Sequence, residues 1–204
     1  MPSWEKVRVA ERGEIRAITT IFSVAFQGDP TWSWAFPDPS QRPEQYGIWW
    51  GRLVEGAMRF PQPSVFVTEG MEAAALWLPP GEAELDAADE ARTPALLAEL
   101  LGDRGGEVLE LLERFDAAQP EDPPHYYLSL LGVHDDHRGK GIGMRLLAEN
   151  IARFDAEGVP SYLESSNPAN NHRYEKLGYR RIGDFTTPGD AVTVTAYWRD
   201  AQAR

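Results

Sequence analysis

The chain has 204 residues, of which 42% are hydrophobic and 25% are charged, with a formal net charge of −12. This composition is typical of a soluble globular protein and excludes disorder over the whole chain, because enough apolar mass is present for a core. The absence of cysteine excludes disulfide frameworks and thiol nucleophiles. No HExxH motif, apolar signal segment or membrane-spanning run is present, so we expect a single cytoplasmic domain over residues 1–204, without metal or membrane contact.

The negative charge is concentrated in the middle of the chain. Fifteen acidic and three basic residues lie between Glu69 and Asp122, whereas the flanking regions are balanced. Net acidity argues against binding to a nucleic-acid backbone, which needs clustered lysine and arginine. Two interpretations of the acidic segment stay open: a solvated helical face, or a surface that attracts cationic substrates.

The first sixty residues predict one strand followed by helices. Alternation at Lys6–Ala10 predicts a short strand, and apolar residues at helical spacing predict an amphipathic helix over Arg12–Gln27. Three prolines predict an irregular segment after residue 31, with a helix from about Glu44 towards Phe60. This region holds four of the seven tryptophans: Trp32, Trp34, Trp49 and Trp50. They predict either a core cluster or the aromatic wall of a substrate pocket.

The next region predicts two strands and then two helices. Ser64–Thr68 and Ala73–Leu78 form a predicted strand pair with a turn between them. Residues 82–118 carry two apolar stripes at helical spacing, separated by glycines. Thr93 followed by Pro94 is typical of a helix start and predicts an N-cap there.

The last eighty residues predict alternating strands and helices. Tyr126–Val133 is a near-continuous apolar run, which predicts a strand buried on both faces. A polar loop and a helix over Gly141–Glu157 follow. The remaining predicted elements are a strand, a short helix and two strands at Ser161–Ser165, Ala169–Leu177, Tyr179–Phe185 and Val192–Trp198. This order predicts an α/β protein with an antiparallel front half and a βαβ unit behind it.

A glycine-rich turn joins the predicted strand 126–133 to the helix that follows. Glycines at positions 139, 141 and 143 let an anion approach the backbone, and unpaired amides at a helix start bind anions. Arg138 and Lys140 add positive charge. The turn lacks the P-loop pattern, and Leu146 stands where a dinucleotide fingerprint needs its third glycine.

The motif RGKGIG, Arg138–Gly143, resembles the acetyl-CoA loop of the GNAT N-acetyltransferases. The stretch LESSNPANNHRYEKLGY, Leu163–Tyr179, resembles the GNAT segment that follows this loop. Residues 126–179 resemble, more narrowly, the puromycin N-acetyltransferase-like branch. The resemblance implies the GNAT fold: a central, mixed and mostly antiparallel sheet of six to seven strands. Helices would cover both faces, and a splayed strand pair would surround the βαβ unit.

The resemblance also implies a set of contacts to acetyl-CoA as cosubstrate. The backbone of Leu131 and Val133 would bind the pantetheine arm, and Asn170 would hydrogen-bond to it. Tyr174 would contact the cosubstrate and act as the general acid for the departing thiolate. The position before this tyrosine is often apolar in relatives but is Arg173 here. The pyrophosphate would lie against Arg138, Gly139, Lys140, Gly141, Ile142 and Gly143.

The catalytic base and the acceptor site are less well specified by the sequence. Glu164, on the strand beside the splayed one, is the first candidate base, and His125 is the second. Asp29 and Asp38 are candidates for holding a cationic substrate instead. The backbone N–H of Val133 is a candidate oxyanion donor. We expect the acceptor to enter between aromatic side chains, namely Trp32, Trp34, Tyr126 and Tyr127.

These observations together predict an acetyl-CoA-dependent N-acetyltransferase that acts on the amine of a small molecule, such as an antibiotic or metabolite. Transfer would be direct, in a ternary complex. Proton transfer from a tyrosine to a thiolate is uphill by roughly two kcal/mol at reference pKa values, so Tyr174 has either a tuned pKa or mainly a hydrogen-bonding role. A non-catalytic CoA-binding sensor and an acyltransferase acting on protein or peptide amines are the alternatives. The sequence is compatible with a monomer or a homodimer.

Overall fold

The computed structural model describes residues 2–202. Seven strands lie within them: β1 (Val7–Val9), β2 (Val65–Thr68), β3 (Ala73–Leu78), β4 (Tyr126–Val133), β5 (Ser161–Ser165), β6 (Arg180–Thr186) and β7 (Thr193–Arg199). The same residues form seven α-helices: α1 (Ile15–Ala25), α2 (Pro30–Ala35), α3 (Arg42–Ala57), α4 (Ala87–Leu101), α5 (Gly105–Ala118), α6 (Ile142–Glu157) and α7 (Asn171–Glu175).

The seven strands form one mixed sheet in the order β1-β2-β3-β4-β5-β7-β6. Every neighbouring pair is antiparallel except β4 and β5, which are parallel and are connected through α6. A parallel pair needs such a crossover, whereas antiparallel neighbours can be joined by short turns. The predicted six- to seven-stranded, mostly antiparallel sheet with a βαβ unit is therefore confirmed.

Helices cover both faces of the sheet, and each face has its own core. On one face, α1, α3, α4 and α5 bury apolar side chains such as Ile18, Phe22 and Leu97. On the other face, α6 presents an apolar stripe formed by Leu146, Leu147, Ile151 and Phe154. The helical spacing of these residues places them on one side of each helix, where burial of each large side chain contributes about 1.5–3 kcal/mol.

Most tryptophans of the predicted aromatic segment belong to the first core. Trp32 and Trp50 pack edge to face, with ring centroids 4.7 Å apart, and Trp49 is also buried. The segment is less irregular than its prolines predict, since Asp29 caps the short helix α2 and accepts hydrogen bonds from two of its amides. Three of the four tryptophans thus belong to the core, and the same three also line the cavity described below, so both interpretations apply to them.

A second difference concerns the start of α4. The sequence predicts an N-cap at Thr93, but the helix begins at Ala87 and Thr93 lies inside it. Asp86 is the actual N-cap, and its carboxylate accepts hydrogen bonds from the amides of Ala88 and Asp89 at 3.0 and 2.9 Å. The prediction at Thr93 is wrong because the helix begins more than one turn earlier, where the carboxylate of Asp86 accepts hydrogen bonds from the first free amides.

The parallel pair β4 and β5 separates along its length. The two strands pair only where Tyr126–Leu128 lies beside Ser161–Leu163. Beyond this point β4 continues to Val133 and β5 continues to Ser165 without pairing to each other. The gap between them is the splayed pair that the sequence resemblance implies, and it leaves one edge of β4 without a strand partner.

A β-bulge changes which residues of β4 face each core. Leu130 pairs with Leu76 and Leu128 pairs with Trp77, so Ser129 is the extra residue. Leu128 consequently packs on the α6 side of the sheet and Leu130 packs on the α1 side. The strand is not buried on both faces as predicted. Fully buried residues alternate with partly exposed ones along the strand, and residues of both kinds border a large cavity.

Within residues 2–202, none of the helices combines the length and the apolar character that crossing a bilayer requires.

Candidate active site

A cavity of about 1230 Å³ lies where β4 and β5 diverge. Its walls come from distant parts of the chain: the start of α6, the segment after β5, the loop before α4, and one side of α5. The separation of the strands opens the floor of the cavity, and the helices on both faces form its sides. Most of the residues that the sequence nominates for function meet here.

The turn into α6 forms one end of this cavity. Gly139 and Gly141 have φ angles of 78° and 74°, a left-handed conformation that favours glycine. An added Cβ at Gly143 would lie 3.0 Å from Val133 Cγ2, so the first turn of the helix packs closely on β4. Gly141 is the N-cap and provides no side-chain acceptor. The first amides of α6 are thus available to an anion, at the positive end of the helix dipole.

Basic side chains lie near these amides. Arg138 is held at the cavity wall by Asp135, whose carboxylate lies 2.6 Å from Nε, and by the carbonyl of Ala25. Lys140 turns back to the carbonyl of Asp136 at 3.4 Å, and it is not among the described residues that line the cavity. The contact of Lys140 with a pyrophosphate stays a prediction. His137, which the sequence analysis did not select, does line the cavity.

The free edge of β4 presents backbone groups to the gap. The amide of His134 donates to the carbonyl of Glu72 at 2.9 Å, which directs this residue towards β3. In an antiparallel pair the hydrogen-bonding direction alternates, so the backbone groups of Leu131 and Val133 point to the opposite edge. β5 has already diverged there. These are the groups nominated from the sequence for pantetheine binding and for an oxyanion.

The segment after β5 brings Asn170 and Tyr174 to the cavity. Asn170 precedes the first residue of α7, and Tyr174 lies within that helix with only 9% of its surface exposed. Burial raises the pKa of Tyr174 to about 12, and the negative charge of Asp29 adds to this effect while Arg173 opposes it. The phenol of Tyr174 is therefore protonated at any physiological pH.

Glu164 lies on β5 just beyond the point where pairing with β4 ends. Its Oε1 is buried and makes no hydrogen bond of normal geometry among the described residues, although the hydroxyl groups of Tyr162 and Tyr127 lie close enough to act on the carboxyl group. Burial raises the pKa of Glu164 to about 8, whereas the hydroxyl groups of Tyr162 and Tyr127 lower it and the charge of Glu84 raises it further. A carboxyl group with this pKa exchanges a proton near neutral pH, as a general base must.

Part of the acidic middle segment forms the end of the cavity opposite α6. Glu84 accepts a hydrogen bond from Ser129, the bulged residue of β4. Burial raises the pKa of Glu84 and of Asp116, and the charge of Asp116 adds to the effect on Glu84. Five acidic residues of this segment line the cavity: Glu82, Glu84, Glu90, Glu113 and Asp116. The charge imbalance was the only sequence signal for them, and it did not identify individual residues.

The comparisons with known proteins agree with this geometry. The acetyltransferase (GNAT) family model matches residues 71–179, which include β4, the glycine turn and Tyr174. The chain belongs to the GNAT acetyltransferase family. An uncharacterized N-acetyltransferase of Schizosaccharomyces pombe is 36% identical over 64 residues, 31% of this chain. The match spans 26%, about a quarter, of that relative's length.

Solved structures show that the fold shared with other acetyltransferases extends over nearly all of the chain. A histone acetyltransferase HPA2 and related acetyltransferase from Corynebacterium glutamicum superposes with a TM-score of 0.70 at 22% identity, covering 98% of this chain and 97% of the other. The polyamine N-acetyltransferase of Drosophila melanogaster superposes with a TM-score of 0.64 at 17% identity, covering 96% and 99%. At these identities the likeness establishes the fold, and the predicted fold class is confirmed.

The aromatic residues nominated for the acceptor site of this GNAT protein are divided between two places. Trp32 and Tyr127 line the cavity. Tyr126 faces α6 instead, where its ring stacks on Phe154 at 3.7 Å and its hydroxyl donates to Glu157 at 2.8 Å. Trp34 lies under the guanidinium of Arg104, 4.9 Å from the ring centroid. Tyr126 and Trp34 are not among the described residues that line the cavity, so we correct the prediction for both.

The alternative polar candidates of the GNAT site are engaged elsewhere. His125 is buried against Trp198, and its Nδ1 lies 2.8 Å from the carbonyl oxygen of Pro123. It is not among the described residues that line the cavity, so these contacts point to a structural role. Asp38 is exposed and accepts hydrogen bonds from Ser40. Asp29 does line the cavity, but its carboxylate already caps α2 and accepts a hydrogen bond from Ser166 at 2.7 Å.

Proposed function

We propose that this GNAT protein transfers the acetyl group of acetyl-CoA to the amine of a small molecule. The observation that carries the proposal is the position of Glu164. Its buried carboxyl group lines the same cavity as the buried phenol of Tyr174 and the free amides of α6. A candidate base, a hydrogen-bond donor and an anion site thus line one cavity.

The residues at the α6 end fit the cosubstrate. The amides of Ile142, Gly143 and Met144 would bind the pyrophosphate, helped by the dipole of α6 and by Arg138. The backbone edge of β4 at Leu131 and Val133 would bind the pantetheine arm like an added strand, and Asn170 would bind the same arm from across the gap. Acetyl-CoA supplies an activated thioester, so the protein need only position it and stabilise charge.

Glu164 would act as the general base. A protonated amine has a reference pKa of about 10.4, so proton transfer to a carboxylate of pKa about 8 is uphill by only about 3 kcal/mol. Transfer to an ordinary carboxylate of pKa about 4.3 would be uphill by about 8 kcal/mol. The neutral amine then forms the N–C bond as the C–S bond breaks. The backbone N–H of Val133 stabilises the intervening oxyanion.

Tyr174 would stabilise the departing thiolate. The pKa of Tyr174, about 12, exceeds the reference value of 8.5 for a thiol, so full proton transfer is uphill by about 5 kcal/mol. This difference favours a hydrogen bond from the phenol over complete transfer, the second of the two roles considered from the sequence. The attacking nitrogen gives up its second proton to solvent on becoming the amide, and the thiolate leaves as CoA and takes up a proton from solvent.

The shape of the cavity supports a small acceptor. The aromatic rings of Trp32 and Tyr127 border it, and solved structures of the same fold include polyamine and arylalkylamine N-acetyltransferases. The puromycin N-acetyltransferase-like branch, an amino-bearing antibiotic or metabolite as acceptor, and direct transfer in a ternary complex are parts of this proposal. A single cytoplasmic domain, acting as a monomer or homodimer, completes it.

Steady-state kinetics with acetyl-CoA and a panel of amines would test the proposed function. Thiol release should depend on the amine, and mass spectrometry should find the acetylated amine. CoA binding without thiol release for any amine would instead support the sensor alternative. Acetylation confined to peptides or protein N-termini would support the third class, an acyltransferase of protein amines.

A further inference from the structure

Helix α5 lies on the face of the sheet towards which Glu164 projects. Leu163 packs in the core beneath α6, and successive side chains of a strand point to opposite faces, so Glu164 points to the face that α5 covers. Glu164 and Phe115 of α5 both line the cavity. An amine that reaches Glu164 therefore lies between the sheet and α5.

Phe115 is the middle ring of three that connect distant parts of the chain. Trp32 of α2 lies nearly parallel to it, with ring centroids 6.0 Å apart and an angle of 12° between the planes. Phe185 of β6 meets it edge to face at 4.9 Å. The neighbouring Arg114 donates to the carbonyl of Thr186 at 2.7 Å and holds α5 against β6. The ring is thus held on two sides, and a ligand that pushes it aside loses both aromatic contacts.

The core contacts of α5 are made mainly by other residues. Val108 and Leu111 are fully buried and belong to the core on this face of the sheet. Phe115 is only half-buried, and one side of it borders the cavity. Its position therefore affects the space that a ligand can occupy as well as the packing of the helix.

The ligand that meets Phe115 is the acceptor and not the cosubstrate. The first amides of α6, which suit the diphosphate, lie on the other face of the sheet from α5. Glu113 and Asp116 of α5 also line the cavity, and their charges repel an anionic cosubstrate. The reacting amine, in contrast, must approach Glu164 on the face that α5 covers.

We propose that Phe115 is a specificity-determining residue, whose ring limits the width of the acceptor beside its reacting amine. The cavity measures about 1230 Å³, whereas pockets for drug-sized ligands measure about 300–1,000 Å³. Its volume alone excludes few amines, so selection by size needs a constriction, and the ring held between α2 and β6 provides one. This inference rests on the proposed function and adds a limit on the shape of the acceptor.

The experiment compares a wide and a narrow acceptor in the purified full-length protein. We would measure kcat/KM for cyclohexylmethylamine and for an unbranched primary alkylamine of equal length. Phe115→Ala should raise the ratio of wide to narrow at least about 10-fold, mainly through KM, and Phe115→Trp should lower it. Phe60→Ala is the control, because this half-buried ring packs under Arg59 and is not among the described residues that line the cavity. It should keep the wild-type ratio.

Opposite shifts in the two Phe115 variants separate a size limit from a structural role, which would lower the rates with both amines alike. An unchanged ratio in both variants, or an equal change in Phe60→Ala, would overturn the inference and leave the acetyltransferase intact. If Phe115→Ala does not fold, Phe115→Leu replaces it, with a smaller rise expected. If the wild type acetylates no amine, the proposed function fails, and calorimetry with the two amines then decides the inference. A ratio of dissociation constants that changes at least 10-fold in Phe115→Ala would support it, and an unchanged ratio or no binding would refute it.

Discussion

The two ends of the cavity are built in different ways. At the α6 end, backbone amides, glycines and arginine create a positive site from residues close together in the sequence. At the opposite end, carboxylates from β5, from the loop before α4 and from α5 create a negative site across more than fifty residues of chain. The first end suits an anionic cosubstrate and the second suits a cationic acceptor. The proposed reacting groups, Glu164 and Tyr174, both line this cavity.

The largest expected effect is on Glu164, which belongs to the acidic end. Glu164→Gln removes the base while keeping the side-chain shape, so kcat/KM should fall about 10²- to 10⁴-fold. In the wild-type protein, kcat/KM should rise with pH up to about 8, because the carboxyl group of Glu164 ionises over this range. Above this pH, the ionisation of Glu164 should cause no further increase. The measurement is a pH–rate profile of kcat/KM for one amine, taken from rates at amine concentrations below KM. An unchanged profile in Glu164→Gln would exclude Glu164 as the base.

The same substitution should increase stability at high pH. The pKa of Glu164 is about 8 in the folded chain and 4.5 as the unperturbed value, so the unfolded state loses its proton first as pH rises. Wild-type stability therefore falls through this window, and the fall is complete above pH 8. The free energy of unfolding of Glu164→Gln, measured in urea relative to the wild type, should therefore increase by about 4 kcal/mol between pH 5 and pH 9. A stability difference between the two proteins that does not change with pH would show that Glu164 is not a buried ionisable group.

A substitution at Tyr174 tests the proposed hydrogen bond to the departing thiolate. Tyr174→Phe removes the hydrogen bond to the thiolate and should lower kcat about 10- to 100-fold, with CoA affinity nearly unchanged. Tyr126→Phe is a matched control, since its hydroxyl faces Glu157 on the α6 side of the sheet. Equal losses in both variants, measured by steady-state kinetics and CoA calorimetry, would remove the special role of Tyr174.

The smallest expected effect concerns the α6 end. Gly143→Leu places a side chain against Val133, where even a Cβ lies within 3.0 Å, and should weaken CoA binding about 10-fold. Gly106→Leu on α5 is the control, because nothing lies within 4 Å of its added Cβ. Calorimetry with CoA measures both. If the two variants bind CoA equally well, the anion site lies elsewhere.

The α6 end was accessible from the sequence because its chemistry is local. The glycines of 139–143 need particular backbone angles and close packing, and such requirements constrain residue type directly. The mixed, mostly antiparallel sheet and the splayed pair followed from the same motif through its family resemblance. The orientation of Lys140 is the exception, since the direction of a long exposed side chain is set by neighbours that a motif does not contain.

The acidic end was not accessible in the same way, because its residues meet only in the folded chain. Nothing in the spacing of Glu84 and Asp116 indicates that both line one cavity with Glu164. Trp34 lies on α2 and packs against Arg104 instead of facing the cavity. The error for Tyr126, on β4, has a related cause. The faces of β4 depend on the bulge at Ser129, and a bulge shifts the alternation of a strand without a clear sequence signal.

The most direct measurement of the central claim is a crystal structure of the protein with CoA. The account predicts the diphosphate against the first amides of α6, the sulfur beside Tyr174, and an open volume that leads from the sulfur to Glu164 and Glu84. A diphosphate bound at the acidic end, or a sulfur remote from both Tyr174 and Glu164, would contradict it.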